Sequence, residues 1–452
     1  MKYVKLLLIA LLTLSSCSND DNATPNLKND FKQITSFIFR AADNDALDEN
    51  VKGVIDETKK TIVVVVQPDV DITALKPWTT ISVKATISPE NDQAMDFSDE
   101  VEYTVTAEDG SKQKYVVIVT VLEPVTERDA LLALYNANPD NELGWDLNEQ
   151  DISKWEGITV EENSVTQISL DSKGIINIPK TISAFRNLDT LILRENGIKR
   201  VPASLGGLTK LKFLDLERNE INELPDALIG LKDNLEYLHI GSNKFTALPQ
   251  VVTRLTNLKN LLVWVNPLTE LSPGIGNLEN LEQLRLDLTR LSKVPKEIGK
   301  LKNLKALFLD DNTIKELPRE ILELSNLEFL SLDGNDLEAI PDLVFDIKWL
   351  KGLNVEENLL TALPTEIEEL SNLEVLRLRD NKLSTLPKEI GQLKKLNILE
   401  IQENELTSLP DEMEDLESLD LLYIRRDQLS LLPEKVIAIV EKNGGEIVLT
   451  DD

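Results

Sequence analysis

A 23-residue pattern recurs along most of this chain and constrains its fold more than any other feature. Twelve copies begin at residues 165, 188, 211, 235, 258, 281, 304, 327, 350, 373, 396 and 419, and only the interval from 211 to 235 is 24 residues long. Burying about seven apolar side chains per copy contributes roughly 10–20 kcal/mol, whereas ordering the backbone costs about 1–2 kcal/mol for each residue. A single copy therefore cannot fold alone, and we expect the copies to stack around one continuous core.

Each copy follows L-x-x-L-x-L-x-x-N-x-L-x-x-L-P-x-x-I-x-x-L, which resembles the leucine-rich repeat. This resemblance implies an α/β solenoid of twelve repeats with parallel strands on its concave face. Alternation directs the first leucines inward and positions three, five and seven outward. An asparagine at position nine can form hydrogen bonds to the backbone groups of the turn that leaves the strand. A proline then begins the convex turn or short helix. Thr289 in an asparagine position and the shifted Pro273 predict local distortion in repeats five and six.

Segments that seal the two ends of the stack flank the repeats, which occupy residues 165–433. Residues 124–164 form the predicted N-terminal cap, with an amphipathic helix through Asn136 and with Trp145 and Trp155 covering the first coil. They are similar to the caps that precede leucine-rich repeats in many extracellular proteins. Residues 434–452 predict a C-terminal cap made of a final helix, a Gly444-Gly445 turn and a closing strand.

The first residues have the pattern of an export signal. Residues 1–16 combine basic residues with an apolar stretch too short to span a bilayer, which predicts a signal peptide. The run Leu14-Ser15-Ser16-Cys17 resembles a bacterial lipobox, so Cys17 is the expected lipidation site, and residues 17–28 are the expected polar tether. The acidic residues behind Cys17 are similar to the tag of some Gram-negative lipoproteins. We therefore expect a lipid anchor in the outer membrane, facing the extracellular side.

Residues 29–123 contain short β-rich runs separated by turn residues, at 31–40, 61–67, 81–87, 101–106 and 114–122. This spacing predicts a small, antiparallel all-β sandwich. The segment around Tyr103 to Ser111 is similar to the Ig-like domains that follow lipoprotein signals. That resemblance implies a spacer between the membrane and the repeats.

The composition excludes several classes of function. Lys and Arg total 48 against 79 Asp and Glu, and the resulting net charge of −31 disfavours nucleic-acid binding. One cysteine and one histidine leave no disulfide framework, no Cys/His metal cluster and no nucleophilic triad outside that histidine. We therefore expect no enzymatic activity, no cofactor and no metal. Glycoside hydrolysis by carboxylates alone stays open, since it needs neither residue type, but no pocket that would raise a carboxyl pKa is evident.

Bulky apolar residues cluster at outward strand positions of repeats three to eight. This aromatic patch contains Phe213, Tyr237, Leu262, Trp264, Phe308 and Phe329, with Val265 and Leu288 just past the strands. A contiguous exposed apolar patch usually marks an interface, although packing between neighbouring side chains is the alternative. His239 has no companion acid at a defined spacing, so we interpret it as a contact residue within the patch.

An acidic column borders the patch. Position seven of four consecutive repeats holds Asp287, Asp310, Asp333 and Glu356, and Asp311 and Glu357 follow two of them; we name these six residues the acid ladder. Stacked like charges at this spacing are destabilising unless a cation or a basic partner offsets them. Calcium binding and ordinary solvation both stay open. Arginines interrupt the acidity at positions 285, 377, 379, 425 and 426.

The concave face is therefore the predicted ligand surface. Its expected ligand-binding residues are Phe213, Tyr237, His239, Leu262, Trp264, Arg285, Asp287, Phe308, Asp310 and Phe329. The chain resembles bacterial leucine-rich-repeat surface proteins, and this resemblance implies adhesion or the binding of a host protein or peptide. The alternative is a glycan-binding component of a surface polysaccharide-uptake system, because aromatic platforms also suit sugar rings.

Overall fold

A computed structural model describes residues 28–47, 49–68, 70–122 and 124–451. The predicted signal peptide, Cys17 and most of the polar tether lie outside these residues. The described chain forms two compact units, one up to Pro124 and one from Val125 onward. Within the described ranges, no helix is both long enough and apolar enough to cross a membrane.

The first unit consists of two β-sheets around one core. Phe37 and Phe39 of one sheet pack against Tyr103 and Tyr115 of the other, all at most 1% exposed. The three-stranded sheet has the order β2-β1-β5 and the five-stranded sheet has the order β3-β4-β8-β7-β6. The strands are β1 (Ile34–Phe39), β2 (Val51–Lys52), β3 (Val54–Asp56), β4 (Thr61–Val66), β5 (Pro77–Ile81), β6 (Thr86–Ser88), β7 (Val101–Thr106) and β8 (Lys112–Val121). Two 3-10 turns, Ala41–Asp43 and Ile72–Ala74, connect them.

Two details of the predicted sandwich were wrong. Strand β4 pairs with β8 in parallel, so the five-stranded sheet is mixed and not antiparallel. The predicted strand at 81–87 is a crossing between the sheets, since β5 ends at Ile81 and β6 begins at Thr86. Lys84 has a left-handed φ of 65° in that crossing, and the Ala85 N–H donates to the Ser82 carbonyl. Alternation alone cannot distinguish one long strand from two that are broken by such a turn.

The second unit is a solenoid whose fourteen strands form one sheet in sequential order. Only β9 and β10 pair antiparallel, and every later neighbour pairs in parallel. The strands are β9 (Ile158–Glu161), β10 (Ser164–Ser169), β11 (Thr190–Ile192), β12 (Phe213–Asp215), β13 (Tyr237–His239), β14 (Asn260–Leu262), β15 (Gln283–Arg285), β16 (Ala306–Phe308), β17 (Phe329–Ser331), β18 (Gly352–Asn354), β19 (Val375–Arg377), β20 (Ile398–Glu400), β21 (Leu421–Arg425) and β22 (Glu446–Thr450). The predicted twelve-repeat solenoid is confirmed.

Each coil closes through a short segment on the convex side. A 23-residue coil leaves room there for a single helical turn, so these segments are 3-10 helices of three to six residues. Most begin directly after the repeat's proline, whose fixed φ suits the residue before the first helical turn. The repeat segments are Lys180–Ala184, Ala203–Gly207, Asp226–Leu231, Val252–Arg254, Pro273–Asn277, Lys296–Lys300, Arg319–Glu323, Asp342–Asp346, Thr365–Glu369, Lys388–Gln392, Asp411–Asp415 and Arg426–Leu431, and Ile152–Lys154 precedes them in the cap.

A column of buried asparagines holds adjacent coils together. The Asn335 side chain, at 0% exposure, donates to the carbonyls of Leu309 and Asp333 and accepts from the Ile314 N–H. Asn358 makes the equivalent contacts one repeat later. The same side chain thus satisfies groups of its own turn and of the preceding coil, which is the scaffold role predicted for position nine.

Repeats five and six show no break in the strand ladder, so the predicted distortion was wrong there. The pairs β14–β15 and β15–β16 keep the register of their neighbours. The Thr289 hydroxyl makes only the contact of the missing amide within its own turn, 2.9 Å from the Leu286 carbonyl oxygen, and it also lies 2.6 Å from Asn312 Oδ1. The Leu268 N–H of the preceding coil donates to the Asn266 carbonyl instead. Ser272 caps the 3-10 turn that begins at Pro273 by accepting from the Gly274 N–H. Local hydrogen bonds at Thr289 and Ser272 therefore accompany both changes from the repeat pattern, and the strand register is unchanged.

Both ends of the solenoid are sealed. Helix α1 (Glu127–Asn136) is capped by Thr126, whose side chain accepts a hydrogen bond from the Asp129 N–H. Trp145 and Trp155 are at most 6% exposed and stack with ring centroids 4.8 Å apart, so they cover the first coil instead of facing a ligand. At the other end, α2 (Glu434–Asn443) stops at Gly444, whose left-handed φ of 80° suits glycine, and β22 completes the sheet.

Candidate ligand-binding surface

Parallel register places the outward residues of adjacent repeats side by side. Phe213 pairs with Tyr237, and Arg285 lies between Leu262 and Phe308 in the same row. The intervening Leu214, Leu238 and their equivalents are 0% exposed and belong to the core. The predicted candidates therefore share the sheet face that is turned away from the core.

The rings of the patch also pack against one another. Phe213 and Tyr237 stack with centroids 4.1 Å apart and planes 7° apart, and Phe308 and Phe329 lie 5.2 Å apart. The Arg285 guanidinium carbon is 4.7 Å from the Phe308 ring centroid. These rings and Trp264 stay half-buried. Packing between neighbouring side chains therefore accounts for one face of these rings, and the remaining surface is open to solvent. The interface role of the patch stays a prediction.

Leu262 and His239 are less accessible than the sequence predicts. Leu262 is 9% exposed and His239 is 6% exposed. In the sheet, Leu262 is flanked by His239 and Arg285, so larger neighbours cover it. Both residues belong to the floor of the patch and not to its outermost surface.

His239 has companion acids, which corrects its interpretation as a simple contact residue. Its Nδ1 lies 3.4 Å from Asp215 Oδ1 and 3.8 Å from Glu217 Oε2. Its Nε2 accepts a hydrogen bond of 2.8 Å from the indole N–H of Trp264. Asp215 precedes His239 by one repeat and occupies the same strand position. Aligning the repeats as columns, with the single 24-residue interval taken into account, would have revealed this neighbour.

Val265 and Leu288 extend the apolar surface beyond the strands. They are 36% and 51% exposed and adopt left-handed φ values of 53° and 51°. This conformation is common to position eight of the repeats, where polar residues such as Glu195 and Arg218 also adopt it. A β-branched valine is unfavourable in that region. The backbone of the repeat therefore imposes the exposure of both apolar side chains.

Among the described residues, arginines form ion pairs with the acids at the two ends of the acid ladder but not with the two central acids, Asp310 and Asp333. Arg285 contacts Asp287 Oδ2 at 2.7 Å, and Arg379 contacts Glu356 at 3.2 Å and also pairs with Glu357. Asp310 accepts the backbone N–H of Asp333 at 3.1 Å, which is a neutral donor. The Asp333 Oδ1 atom is buried without a hydrogen-bond partner. No described cation pairs with Asp310 or Asp333.

Burial raises the pKa of these two central carboxyls. Desolvation is the main cause in both, and it raises the pKa of Asp310 to about 6 and that of Asp333 to about 6. Asp287 adds repulsion to Asp310, and Asp310 and Glu357 add repulsion to Asp333. The pKa values of Asp287 and Glu356 are also raised by burial, against the opposing effect of their arginines. The middle of the ladder is thus a place where the charged form lacks a counter-ion.

The remaining arginines pair with nearby acids. Arg377 contacts Glu400 at 2.8 Å, Arg425 contacts Asp427 at 2.8 Å and Arg426 contacts Asp451 at 2.7 Å. The sequence-based suggestion that these arginines offset local acidity agrees with this geometry. None of these three pairs involves Asp310 or Asp333.

The acid ladder does not converge as a calcium cage would. Among the described residues, the group of three or more His, Cys, Asp or Glu side chains whose ligand atoms approach within 4.8 Å is Asp215, Glu217 and His239. The ladder carboxylates follow the strand spacing instead, one per repeat. Calcium binding to the ladder is therefore without geometric support.

Family models match both units. A model described as "SGBP, N-terminal" matches residues 34–119. One described as "Leucine-rich repeat region" matches residues 203–307 and 345–438, and one described as "Leucine rich repeat" matches residues 279–337. None of these descriptions names an enzymatic domain, and leucine-rich-repeat families are typically binding proteins. No curated protein matches the chain.

Solved structures show the same architecture. An internalin from Listeria monocytogenes is 21% identical, with a TM-score of 0.54 over 70% of this chain and 92% of its own. The ectodomain of the Arabidopsis receptor kinase HAESA is 23% identical, with a TM-score of 0.50 over 73% of this chain and 53% of its own. A leucine-rich-repeat protein from Leptospira interrogans is 35% identical, with a TM-score of 0.51 over 61% of this chain and 76% of its own. Because that identity extends over three quarters of the Leptospira protein, this chain belongs to the leucine-rich-repeat protein family.

Proposed function

We propose that the concave face binds a protein or peptide segment that presents an apolar or aromatic side chain next to a basic one. One observation carries the proposal: the aromatic patch adjoins two half-buried carboxylates, Asp310 and Asp333, that form no ion pair with a described cation. Phe308 precedes Asp310 by two residues, and Phe329 pairs with Ala306 in the adjacent strand. An apolar anchor and a basic group only a few ångströms apart on a ligand would engage both features.

Charge complementarity favours a basic ligand group. A partly desolvated carboxylate without a cationic partner is costly, and a lysine or arginine from a ligand would supply a charge-assisted hydrogen bond. The net charge of −31 would also accelerate the encounter with a basic partner. Half-buried aromatic side chains supply the apolar contact area on which interface energy concentrates.

Peptide ligands are compatible with this fold. The HAESA ectodomain was solved in complex with an IDA peptide hormone, and a second similar structure is that of PEPR1-AtPEP1. Both share the fold with this chain at 23% and 24% identity. They support a protein or peptide as the class of ligand and leave its identity to experiment.

The same proposal includes a location at the cell surface. The lipobox-like run ending at Cys17 supports a lipid anchor in the outer membrane that faces outward. In this arrangement the Ig-like module acts as the spacer, and binding to a host protein would amount to adhesion. Mass spectrometry of the membrane-extracted protein checks the anchor, because acylation predicts an N-terminal peptide that begins with a lipid-modified Cys17.

A glycan ligand is the second candidate, favoured by the match of residues 34–119 to the model described as "SGBP, N-terminal". This domain hints at glycan binding. Trp78 in β5 is 41% exposed with the Arg40 guanidinium 3.9 Å from its ring centroid, so part of an aromatic side chain is accessible in the first unit. A glycan bound there would not involve the concave face.

Two variants separate these candidates. We expect the double variant Trp264→Ala and Phe308→Ala to lower the affinity for a captured protein or peptide at least about tenfold, because it removes two anchors of the patch. Trp78→Ala, a matched tryptophan change in the other unit, should leave that affinity unchanged. The measurement is capture from a peptide-display library and a glycan array in parallel, with thermal transitions recorded for all three proteins.

The outcomes are distinct. Equal capture by the parent and the double variant would contradict the proposal that the aromatic patch binds the ligand. A silent peptide library together with glycan binding that is lost in Trp78→Ala would replace the proposal with the second candidate. If the double variant lacks a thermal transition, the single variant Trp264→Ala is measured in its place. Trp264 is half-buried and lies outside the core, so its replacement should leave the fold intact.

A further inference from the structure

We propose that Asp215, Glu217 and His239 form a binding site for one divalent transition-metal ion, with Zn²⁺ as the best fit, on the concave face of repeats three and four. The three side chains are brought together by the parallel pairing of β12 with β13. This inference does not rest on the proposed binding of a protein or peptide, since it concerns a different ligand and has its own readout.

The distances suit a small tetrahedral ion. The His239 Nδ1 atom is 3.4 Å from Asp215 Oδ1 and 3.8 Å from Glu217 Oε2, and all three ligand atoms lie within 4.8 Å of one another. Zinc bonds to nitrogen and oxygen of about 2.0–2.2 Å hold neighbouring ligands roughly 3.3–3.6 Å apart. The two distances from His239 Nδ1 therefore already lie close to the spacing that a tetrahedral ion requires. One imidazole with two carboxylates is a donor set that zinc accepts, and three protein ligands leave a fourth position open.

Burial and charge favour a cation at this point. The side chains of His239, Asp215 and Glu217 are 7%, 8% and 11% exposed. Asp215 accepts from the Glu217 backbone N–H at 2.9 Å. Arg218 lies 3.3 Å from Glu217 but also contacts Glu195 at 2.7 Å, so one shared guanidinium faces several carboxylates. A divalent ion would offset the charge that remains on the two largely desolvated acids.

The hydrogen bond from Trp264 to His239 couples metal binding to the position of the indole ring. Indole nitrogen can only donate, so the hydrogen bond from Trp264 requires an unprotonated His239 Nε2 and places the ring proton on Nδ1. A metal bound at Nδ1 displaces that proton, and the neutral imidazole then carries its proton on Nε2. The Trp264 N–H loses its acceptor, so the indole must move. Metal binding should therefore change the fluorescence of Trp264.

Gly241 shows that the local packing accommodates this arrangement. A Cβ atom on residue 241 would lie 2.9 Å from both His239 Nε2 and Trp264 Nε1. A larger residue at this outward position would therefore separate the two rings. The absence of a side chain at 241 lets Trp264 hold the imidazole so that its Nδ1 faces the two acids.

Zinc titration of the full chain, produced without a histidine tag and stripped with EDTA, tests the proposal. Calorimetry should show one high-affinity equivalent of Zn²⁺, and Co²⁺ should give the visible absorption of a tetrahedral site. We expect Asp215→Asn and His239→Gln each to weaken binding at least about tenfold. Glu400→Gln, which alters a concave carboxylate that is paired with Arg377, should bind as the parent does.

Fluorescence adds a readout that a merely structural role would not give. Zn²⁺ should change the emission of the parent, and the change should be absent in Trp264→Phe, which retains the three ligands and should bind zinc at least as tightly. Binding that is equally tight in His239→Gln would overturn the proposal, as would the absence of a stoichiometric zinc equivalent in the parent. His239 is the single histidine of the chain, so that variant removes all imidazole ligands at once.

Discussion

Replacing Asn335 by alanine is expected to lower the free energy of unfolding of the solenoid by about 3 kcal/mol. The side chain is fully buried and makes three hydrogen bonds to backbone groups. The Asp333 carbonyl keeps another donor, the Asp311 N–H, after the change. The Leu309 carbonyl likewise keeps the Asn312 side-chain amide as a donor. The Ile314 N–H is left buried without its acceptor, which costs about 1–3 kcal/mol, and the two lost hydrogen bonds to carbonyls add to that cost.

Urea denaturation followed by circular dichroism measures this effect. Asn372→Ala is the matched control, because Asn372 is the half-buried last residue of the following repeat, donates one hydrogen bond to the Lys348 carbonyl and accepts one from Lys395. We expect the control to cost less than about 1 kcal/mol. Equal midpoints for the two variants would mean that position nine does not carry the coil-to-coil interaction assigned to it.

The second large effect has the opposite sign. Replacing Asp310 by asparagine should stabilise the solenoid at pH 7 by about 1–2 kcal/mol. Burial raises the pKa of Asp310 to about 6, whereas the ordinary value is 3.8. The folded chain therefore binds this proton more tightly than the unfolded chain does. The free energy of unfolding thus falls as pH rises through the window from about 4 to 6, and asparagine removes that penalty.

Several charged groups near Asp310 affect its pKa and therefore the pH dependence of stability. Asp287 and Arg285 act on Asp310, and Asp310 in turn acts on Asp333, whose pKa burial also raises to about 6. The amide oxygen introduced by Asp310→Asn would keep an acceptor for the Asp333 N–H, so the hydrogen bond at 3.1 Å need not be lost. The comparison should cover the single variants Asp310→Asn and Asp333→Asn and the double variant, because the two carboxyls are coupled.

Thermal melts between pH 4 and pH 8 give the required curves. Asp342→Asn is the control, since Asp342 is an exposed acid on the convex side and its replacement should change stability by less than about 0.5 kcal/mol. A lower melting temperature for Asp310→Asn at pH 7 would contradict the account. A gain in stability would mean that the fold retains a costly carboxylate, as proteins often do at binding sites.

The sequence predicts the solenoid well because its information is repeated. Leucines such as Leu304, Leu307 and Leu309 mark one inward face in each copy, and all three are 0% exposed. Asn335 and its equivalents mark the turn. A departure in one copy does not obscure the pattern, because the other copies repeat it. The number of coils and the strand register therefore follow from the pattern.

The first unit was harder to predict, because its decisive interactions are not periodic. The run Thr61–Val66 alternates between core and surface, but this does not reveal that it pairs in parallel with Lys112–Val121. The turn at Lys84, where φ is left-handed, contains no glycine or proline that would have predicted it from the sequence. Orientation and sheet switching depend on distant contacts that alternation within one segment does not encode.

The candidate site falls between these two cases. Which side chains face outward follows from their repeat positions, so the aromatic patch and the acid ladder could be identified in advance. How these side chains pair was only partly predictable. Aligning the repeats as columns places Asp215 beside His239 across 24 residues, whereas the contacts of Arg379 with both Glu356 and Glu357 depend on its rotamer. The near-complete burial of Leu262 and His239 likewise depends on the size of their neighbours.

The central claim is that ligands contact the concave face, and site-specific photo-crosslinking tests it most directly. A benzoylphenylalanine at position 283, which lies between Asn260 and Ala306 in the sheet and outside the aromatic patch, should crosslink a captured ligand. The same photoreactive residue at position 296, exposed in the convex segment Lys296–Lys300, should not. Crosslinks from position 296 that equal or exceed those from position 283 would contradict the account.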